Sequence, residues 1–307
     1  MRARRPRRCA PQRPDRGFVT APVLLLLALL AALAGIVSTY LRISATSFAS
    51  YDDRVRSTAL VLAGVELTAY DLLSSPKISR KPRGTVSFRL DRATIQVDYA
   101  MESARVDLNF APKEMLANLF QTLGAPSEES EIYADRIIGW RTAPKADSLD
   151  SEATLYRTSG VPYGPKGRRF TNPEELWRVL GLPPALVERA MDFVTVYNGR
   201  REIDVFAATP EVIASLPGVE PLQMASFVAQ RETLPREPAA AINLLGTAGG
   251  AIAVYSGDNV RLNCAVAFDS GWRKSVEIII ELEGGEEPYR VLSWRDLDDI
   301  APRGEQE

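Results

Sequence analysis

The sequence contains no histidine, which removes the side chain that most often serves as general base and as transition-metal ligand. Ser-His and Cys-His nucleophile pairs and His-based zinc sites are excluded with it. Cysteine is almost as scarce. Cys9 sits in an arginine-rich leader, so a chain trimmed of that leader holds Cys264 alone and forms neither an internal disulfide nor a thiolate zinc site. Proline, present 21 times overall, is missing between Pro22 and Pro76, which leaves room for one long unbroken helix. Acids are rare at the start: residues 1 to 17 carry seven arginines against Asp15 alone, leaving 30 basic and 38 acidic residues beyond them. An acidic body discourages nucleic acid or anionic lipid as main partner, because phosphate binding relies on clustered Lys and Arg. With no cofactor fingerprint and no nucleophile-base pair, an enzymatic role has no residue to rest on.

What is present begins with 25 uncharged residues from Gly17 to Leu41, including Val23-Leu24-Leu25-Leu26-Leu27-Ala28-Leu29-Leu30. About 20 apolar residues span a bilayer as a helix. The preceding arginines predict a cytoplasmic N-terminus, with everything beyond about residue 42 outside. Ala32-Leu33-Ala34 before Gly35 offers a signal-peptidase site and hence the alternative of a secreted soluble domain. Leu60, Ala63, Gly64 and Leu67 continue a helical spacing past the membrane edge, which favours one helix of about 50 residues, half in lipid and half against a domain.

Beyond a polar connector from Pro76 to Gly84, alternating runs at Thr85 to Leu90, Thr94 to Tyr99 and Ala104 to Leu108 predict strands. Further strands are predicted at Ala251 to Tyr255, Val260 to Phe268, Ser275 to Leu282 and Tyr289 to Trp294. Residues 110 to about 245 read as mostly helical. Asn172-Pro173-Glu174-Glu175 and Thr209-Pro210-Glu211 mark helix starts, each with a capping side chain, an early proline and an acid near the positive helix end. An internal repeat aligns Val106 to Leu119 with Ile203 to Leu216, with five of the fourteen pairs identical and four more exchanging aliphatic residues or methionine.

These features carry a resemblance. Arg16-Gly17-Phe18, directly before the apolar run, resembles a type IV prepilin leader. Both repeat copies are similar to the "LNxAxxxxLxxL" segments of the K subunit of bacterial type II secretion systems. Ile137-Ile138-Gly139-Trp140-Arg141, Pro162-Tyr163, Glu174-Glu175-Leu176, Thr195-Val196-Tyr197 and Tyr289 to Arg295 match that family in order. The resemblance covers nearly the whole chain. It implies an α+β, type IV pilin-like fold: a long N-terminal transmembrane helix packed on an antiparallel sheet, with a large inserted helical domain. The expected divisions are a leader at 1–17, a transmembrane helix at 18–41, pilin-like parts at 42–109 and 246–307, and the inserted helical domain at 110–245. It also implies cleavage between Gly17 and Phe18 by a prepilin peptidase and N-methylation of Phe18. Pilins usually carry Glu at the fifth mature position, read as the partner of a neighbour's N-terminal amine; here that position is Pro22. Lack of this Glu is a feature of the K subunit, which the family places at the filament tip, in the inner membrane before assembly and with its body in the periplasm. Implied partners are the I, J and H type minor pseudopilins, the prepilin peptidase, and an exported substrate or the outer-membrane secretin.

Other functions compete with this one. A minor pilin of a type IV pilus would share the leader but would more often keep the fifth-position Glu and lack the insertion. Ala214-Ser215-Leu216-Pro217-Gly218-Val219 resembles a helix-hairpin-helix, a DNA phosphate-binding module, yet Glu220-Pro221 follows where a second glycine is usual. Glutamate repels phosphate and proline lacks the amide that would hold it. Lys166-Gly167-Arg168-Arg169 is the basic cluster of the insertion and reads as a solvated loop. K subunits also resemble one another in a calcium loop after a "DWRDxD" helix end. Here Gly139 and Thr142 replace two of its acids and Lys145 has entered, so the calcium candidates are reduced to Asp147, Asp150 and Glu152.

Overall fold

The computed structural model describes residues 20–77, 80–143, 152–246, 250–254, 257–283 and 286–297, with backbone alone at 20, 21 and 42–54. The chain divides into two compact units, residues 1–56 and 57–307. Helix α1 runs from Thr20 to Ser74 without a break, as the proline-free stretch allows.

In the first unit, Pro22–Leu41 has a mean hydropathy of 2.4 and no residue buried in the protein. Leu24, Leu25, Leu29 and Ile36 are all exposed. A helix that is apolar all round and lacks a protein partner suits lipid better than water.

In the second unit, α1 becomes one-sided. Ser57, Leu60, Val61, Gly64, Val65, Thr68, Ala69 and Leu72 are buried, a spacing of three and four that keeps one stripe on the core. Leu67, expected on that stripe, faces outward, and Thr68 takes the inward position with its hydroxyl donating to Gly64 O at 2.8 Å. The stripe packs on a five-stranded antiparallel sheet of order β1-β2-β7-β8-β9. Its strands are β1 (Arg83–Leu90), β2 (Ala93–Met101), β7 (Asn259–Phe268), β8 (Arg273–Leu282) and β9 (Tyr289–Asp296). Inward residues alternate as a pleat requires: Ile95, Val97 and Tyr99 on β2, Leu262, Cys264 and Val266 on β7, and Val276, Ile278 and Ile280 on β8 form one core with the helix.

The chain leaves the sheet after Met101 and re-enters beside the same strand, with Met101 opposite Val260. Between these points lie β3 (Val106–Asp107), α2 (Lys113–Thr122), α3 (Ser127–Arg141), α4 (Glu152–Thr158), α5 (Pro184–Ala190), β4 (Val194–Thr195), β5 (Ile203–Asp204), α6 (Pro210–Ala214), α7 (Pro221–Gln230), α8 (Pro238–Leu245) and β6 (Ile252–Ala253). They enclose a second core that includes Leu108, Met115, Phe120, Ile137, Trp140, Tyr156, Ile213 and Phe227. The sequence places strands at Ala104 to Leu108 and Ala251 to Tyr255 in the same series as the sheet. Instead, β3 pairs in parallel with β4, and β5 in parallel with β6, both inside the helical part. A short apolar run specifies a strand but not its partner.

Candidate functional site

Three regions carry the chemistry of this chain: the start of α1, the duplicated core of the helical part, and the seam that joins that part to the sheet.

At the start of α1, Pro22 lies in the first turn, where backbone amides lack intrahelical acceptors, so its missing N–H costs no helix bond. The first turn contains no acidic side chain. The cleavage residues Gly17 and Phe18 lie outside the described residues, as does the methylation site.

The internal repeat is a structural duplication. Asp107 and Asp204 sit at equivalent positions, both almost fully buried, each ending a two-residue parallel strand. Asp107 accepts the amide of Asn109 at 2.7 Å and Asp204 that of Phe206 at 3.1 Å, the same turn formed twice. Their backbone carbonyls accept Ala111 N at 2.8 Å and Ala208 N at 2.9 Å. Burial pushes both carboxyls up to about 6, against the amides and Arg141 at Asp107, and against Arg236 and the amides at Asp204. Each copy is closed by an arginine from its second helix end: Arg141 donates to Ala111 O at 2.8 Å and to Leu108 O, and Arg231 donates to the equivalent Ala208 O at 2.7 Å. The copies meet through Asn118, whose side-chain amide donates to the carbonyl of its own counterpart position, Ser215, at 3.3 Å. A contact between equivalent positions is what an approximate two-fold axis produces.

The predicted helix starts divide. Asn172 caps as expected, accepting Glu175 N at 3.1 Å, but it opens a 3-10 turn over Pro173–Arg178. The Thr209 side chain makes no capping hydrogen bond. In the hairpin-like segment, Gly218 takes φ +75° as the turn requires. Glu220 and Gln223 form a capping box at the start of α7, with Gln223 Oε1 accepting Glu220 N at 3.0 Å. The helix end that would hold a phosphate therefore carries its own carboxylate.

The seam was not legible in the sequence. Arg261, on the sheet face opposite α1, donates to Glu102 at 2.7 Å from a 3-10 turn after β2, and to Glu277 of β8 at 2.6 Å. Glu102 also accepts the Thr195 hydroxyl. Arg295 of β9 extends the chain of charges, bonding Glu277 at 2.7 Å and Glu174 at 2.6 Å. Burial alone would favour the neutral form of Arg261, but Glu102 and Glu277 outweigh it and hold the guanidinium above its ordinary value. Three acids meet three arginines here once Arg105 is included, which burial and then Arg261 push downward. The only signal in the sequence was one arginine inside an apolar alternating strand.

The calcium candidates separate likewise. Asp147 and Asp150 lie outside the described residues. Glu152 is paired with Arg136 at 3.0 Å and lies against Gly139. Burial raises its carboxyl against the pull of that arginine. Among the described residues no three acid, cysteine or histidine side chains gather to hold a metal.

Comparison with known proteins follows the same lines. The family model "Type II secretion system (T2SS), protein K", in its first-domain form, matches residues 100–199, which contain the first repeat copy, Glu102, Trp140, Glu175 and Thr195. A chain in the crystal structure of the GspK-GspI-GspJ complex of the type 2 secretion system of enterotoxigenic Escherichia coli shares the fold, with a TM-score of 0.57 and 16% identity over 80% of this chain and 97% of that one. No curated protein matches. The helix, the antiparallel sheet and the helical part inserted between β2 and β7 form a pilin-like fold with a helical domain. Residues 100–199, at the centre of that fold, match the first domain of the type II secretion system protein K family, and Pro22–Leu41 is long and apolar enough to cross a membrane.

Proposed function

We propose that this chain is a minor pseudopilin of a type II secretion system, that it occupies the tip of the pseudopilus and that it helps start the filament. The observation that carries the reading is Pro22 in a first helical turn without an acid. A pilin docking beneath an existing subunit sets its fifth-position carboxylate against the amine above it, and this chain has no such group to offer. The Phe18 amine, freed and methylated after a cut at Gly17, remains able to receive the Glu of a subunit added below. The N-terminus then lies on the cytoplasmic side and the body in the periplasm, with an inserted domain of residues 110–245 leaving little room for a subunit above. Partners are minor pseudopilins of the I and J types, as in the complex whose fold this chain shares, with the H type, the prepilin peptidase, and the secretin or an exported substrate completing the set.

The position is tested by immunogold labelling of filaments that contain the full chain. Label confined to filament ends is expected, and Pro22→Glu is expected to leave both the position and secretion unchanged. Label spaced regularly along the shaft would overturn the tip placement while leaving the pilin-like fold intact.

A further inference from the structure

The turn Lys166-Gly167-Arg168-Arg169 and the 3-10 turn Pro173–Arg178 flank an open cleft with Trp140 and Tyr163 on its wall. The cleft is rigidly built. Gly167, at φ +64°, donates its amide to Trp140 O at 2.9 Å. Glu175 accepts from Lys166 at 2.5 Å, from the Thr171 amide at 2.9 Å and hydroxyl at 2.6 Å, and from the Trp140 indole at 3.1 Å.

Its charges do not cancel. Both acids of the cleft are already neutralised, Glu175 by Lys166 and Glu174 by Arg295 at 2.6 Å. Arg168 and Arg178 line the cleft, are exposed, and have no carboxylate partner among the described residues. Arg169, next in sequence, lies over the Phe110 ring at 4.6 Å in a cation-π contact. Two guanidiniums without a carboxylate partner among the described residues thus line one cleft of a body whose residues beyond the leader number 30 basic against 38 acidic. Large apolar surface accompanies them: Tyr163 is 42% exposed and Trp177, one 3-10 turn beyond Glu174, is 50% exposed.

We propose that this face docks an acidic polypeptide segment of a partner protein, with carboxylates on Arg168 and Arg178 and an apolar side chain against Tyr163 and Trp177. Arginine forks match carboxylates two bonds at a time, and exposed Trp, Tyr and Arg beside a preformed cleft are the residue types that dominate protein interfaces. A compact inorganic anion would use neither ring and would meet the Glu174 and Glu175 oxygens. A polypeptide spaces its carboxylates apart and brings apolar side chains between them.

The test uses the full chain in zwitterionic nanodiscs and fluorescence anisotropy of a labelled peptide of about ten alternating Glu and Leu residues, long enough to cross such a cleft when extended. Saturable binding that weakens with salt is expected, with a loss of about tenfold or more in Arg168→Gln/Arg178→Gln and a severalfold loss in Trp177→Ala. These side chains are exposed, so the variants should melt with the wild type, and Arg168→Lys/Arg178→Lys should recover only part of the binding. Failure of the wild type to bind, unchanged binding by the Gln variant, or equal binding of the peptide with Gln in place of Glu would overturn the proposal. Displacement of the peptide by inorganic phosphate at equal concentration would overturn it too, by assigning the cleft to a free anion.

Discussion

Replacing Arg261 by Ala is expected to destabilise the second unit by about 3–5 kcal/mol, the range for removing one partner of a buried ion pair. Glu102 is 1% exposed and Arg261 is its hydrogen-bonded cation, so the variant leaves a buried carboxylate that has lost its direct ion pair and keeps only the more distant charge of Arg105. The loss extends further, because Glu277 loses one of its two direct ion pairs among the described residues, and the other, Arg295, is the residue that reaches Glu174 in the helical part. For a unit of this size the midpoint of thermal unfolding should fall by roughly 10 °C. The double variant Glu102→Gln/Arg261→Met removes both charges and should recover part of the loss, since an apolar replacement of a buried pair is often nearly neutral. A single variant that melts within a degree of the wild type would show that the seam is held by packing instead.

Gly64→Leu should be almost as damaging, for a steric reason. A Cβ placed on Gly64 would stand 2.9 Å from the Val97 Cγ2 methyl and 3.2 Å from that of Ile95, so α1 and β2 approach as closely as a bare backbone allows. A four-carbon side chain there must lift the helix from the sheet, at a cost of about 3 kcal/mol or more. Gly64→Ala is a milder case, because a gain of about 1 kcal/mol in helix propensity opposes the crowding. Combining Gly64→Leu with Val97→Ala should restore part of the stability, measured by chemical denaturation of the full chain in detergent. Equal stability of Gly64→Leu and wild type would contradict the close contact on which the pilin-like packing depends.

How much of this was legible in the sequence varies with the range of the interaction involved. The long helix was visible because it depends on a local property, the absence of proline between Pro22 and Pro76, together with apolar spacing. The strands of the five-stranded sheet were visible for the same reason, as their alternation is a period of two. The repeat pointed correctly to a duplicated unit, and the identical aspartates proved to make the same turn. Partner choice was not visible. Nothing local tells Val106-Asp107 to pair with Val194-Thr195, or tells Arg261 to meet Glu102 across 159 residues of chain. Thr209 looked like a cap because of its residue type and the proline after it, but a capping bond also needs a side-chain rotamer that the pattern does not encode. Leu67 looked like a core residue because it is apolar, whereas a buried Thr68 with its hydroxyl satisfied by the helix itself fills the stripe equally well.

The most direct test of the central proposal, that this chain is a processed pseudopilin, is the intact mass and N-terminal sequence of the protein extracted from membranes of cells that contain the prepilin peptidase. A chain that begins at Phe18, lacks residues 1–17 and carries one added methyl group on its terminal amine is the expected result. A chain that retains its leader, or one that begins at Gly35 after removal of an ordinary signal peptide, would contradict it.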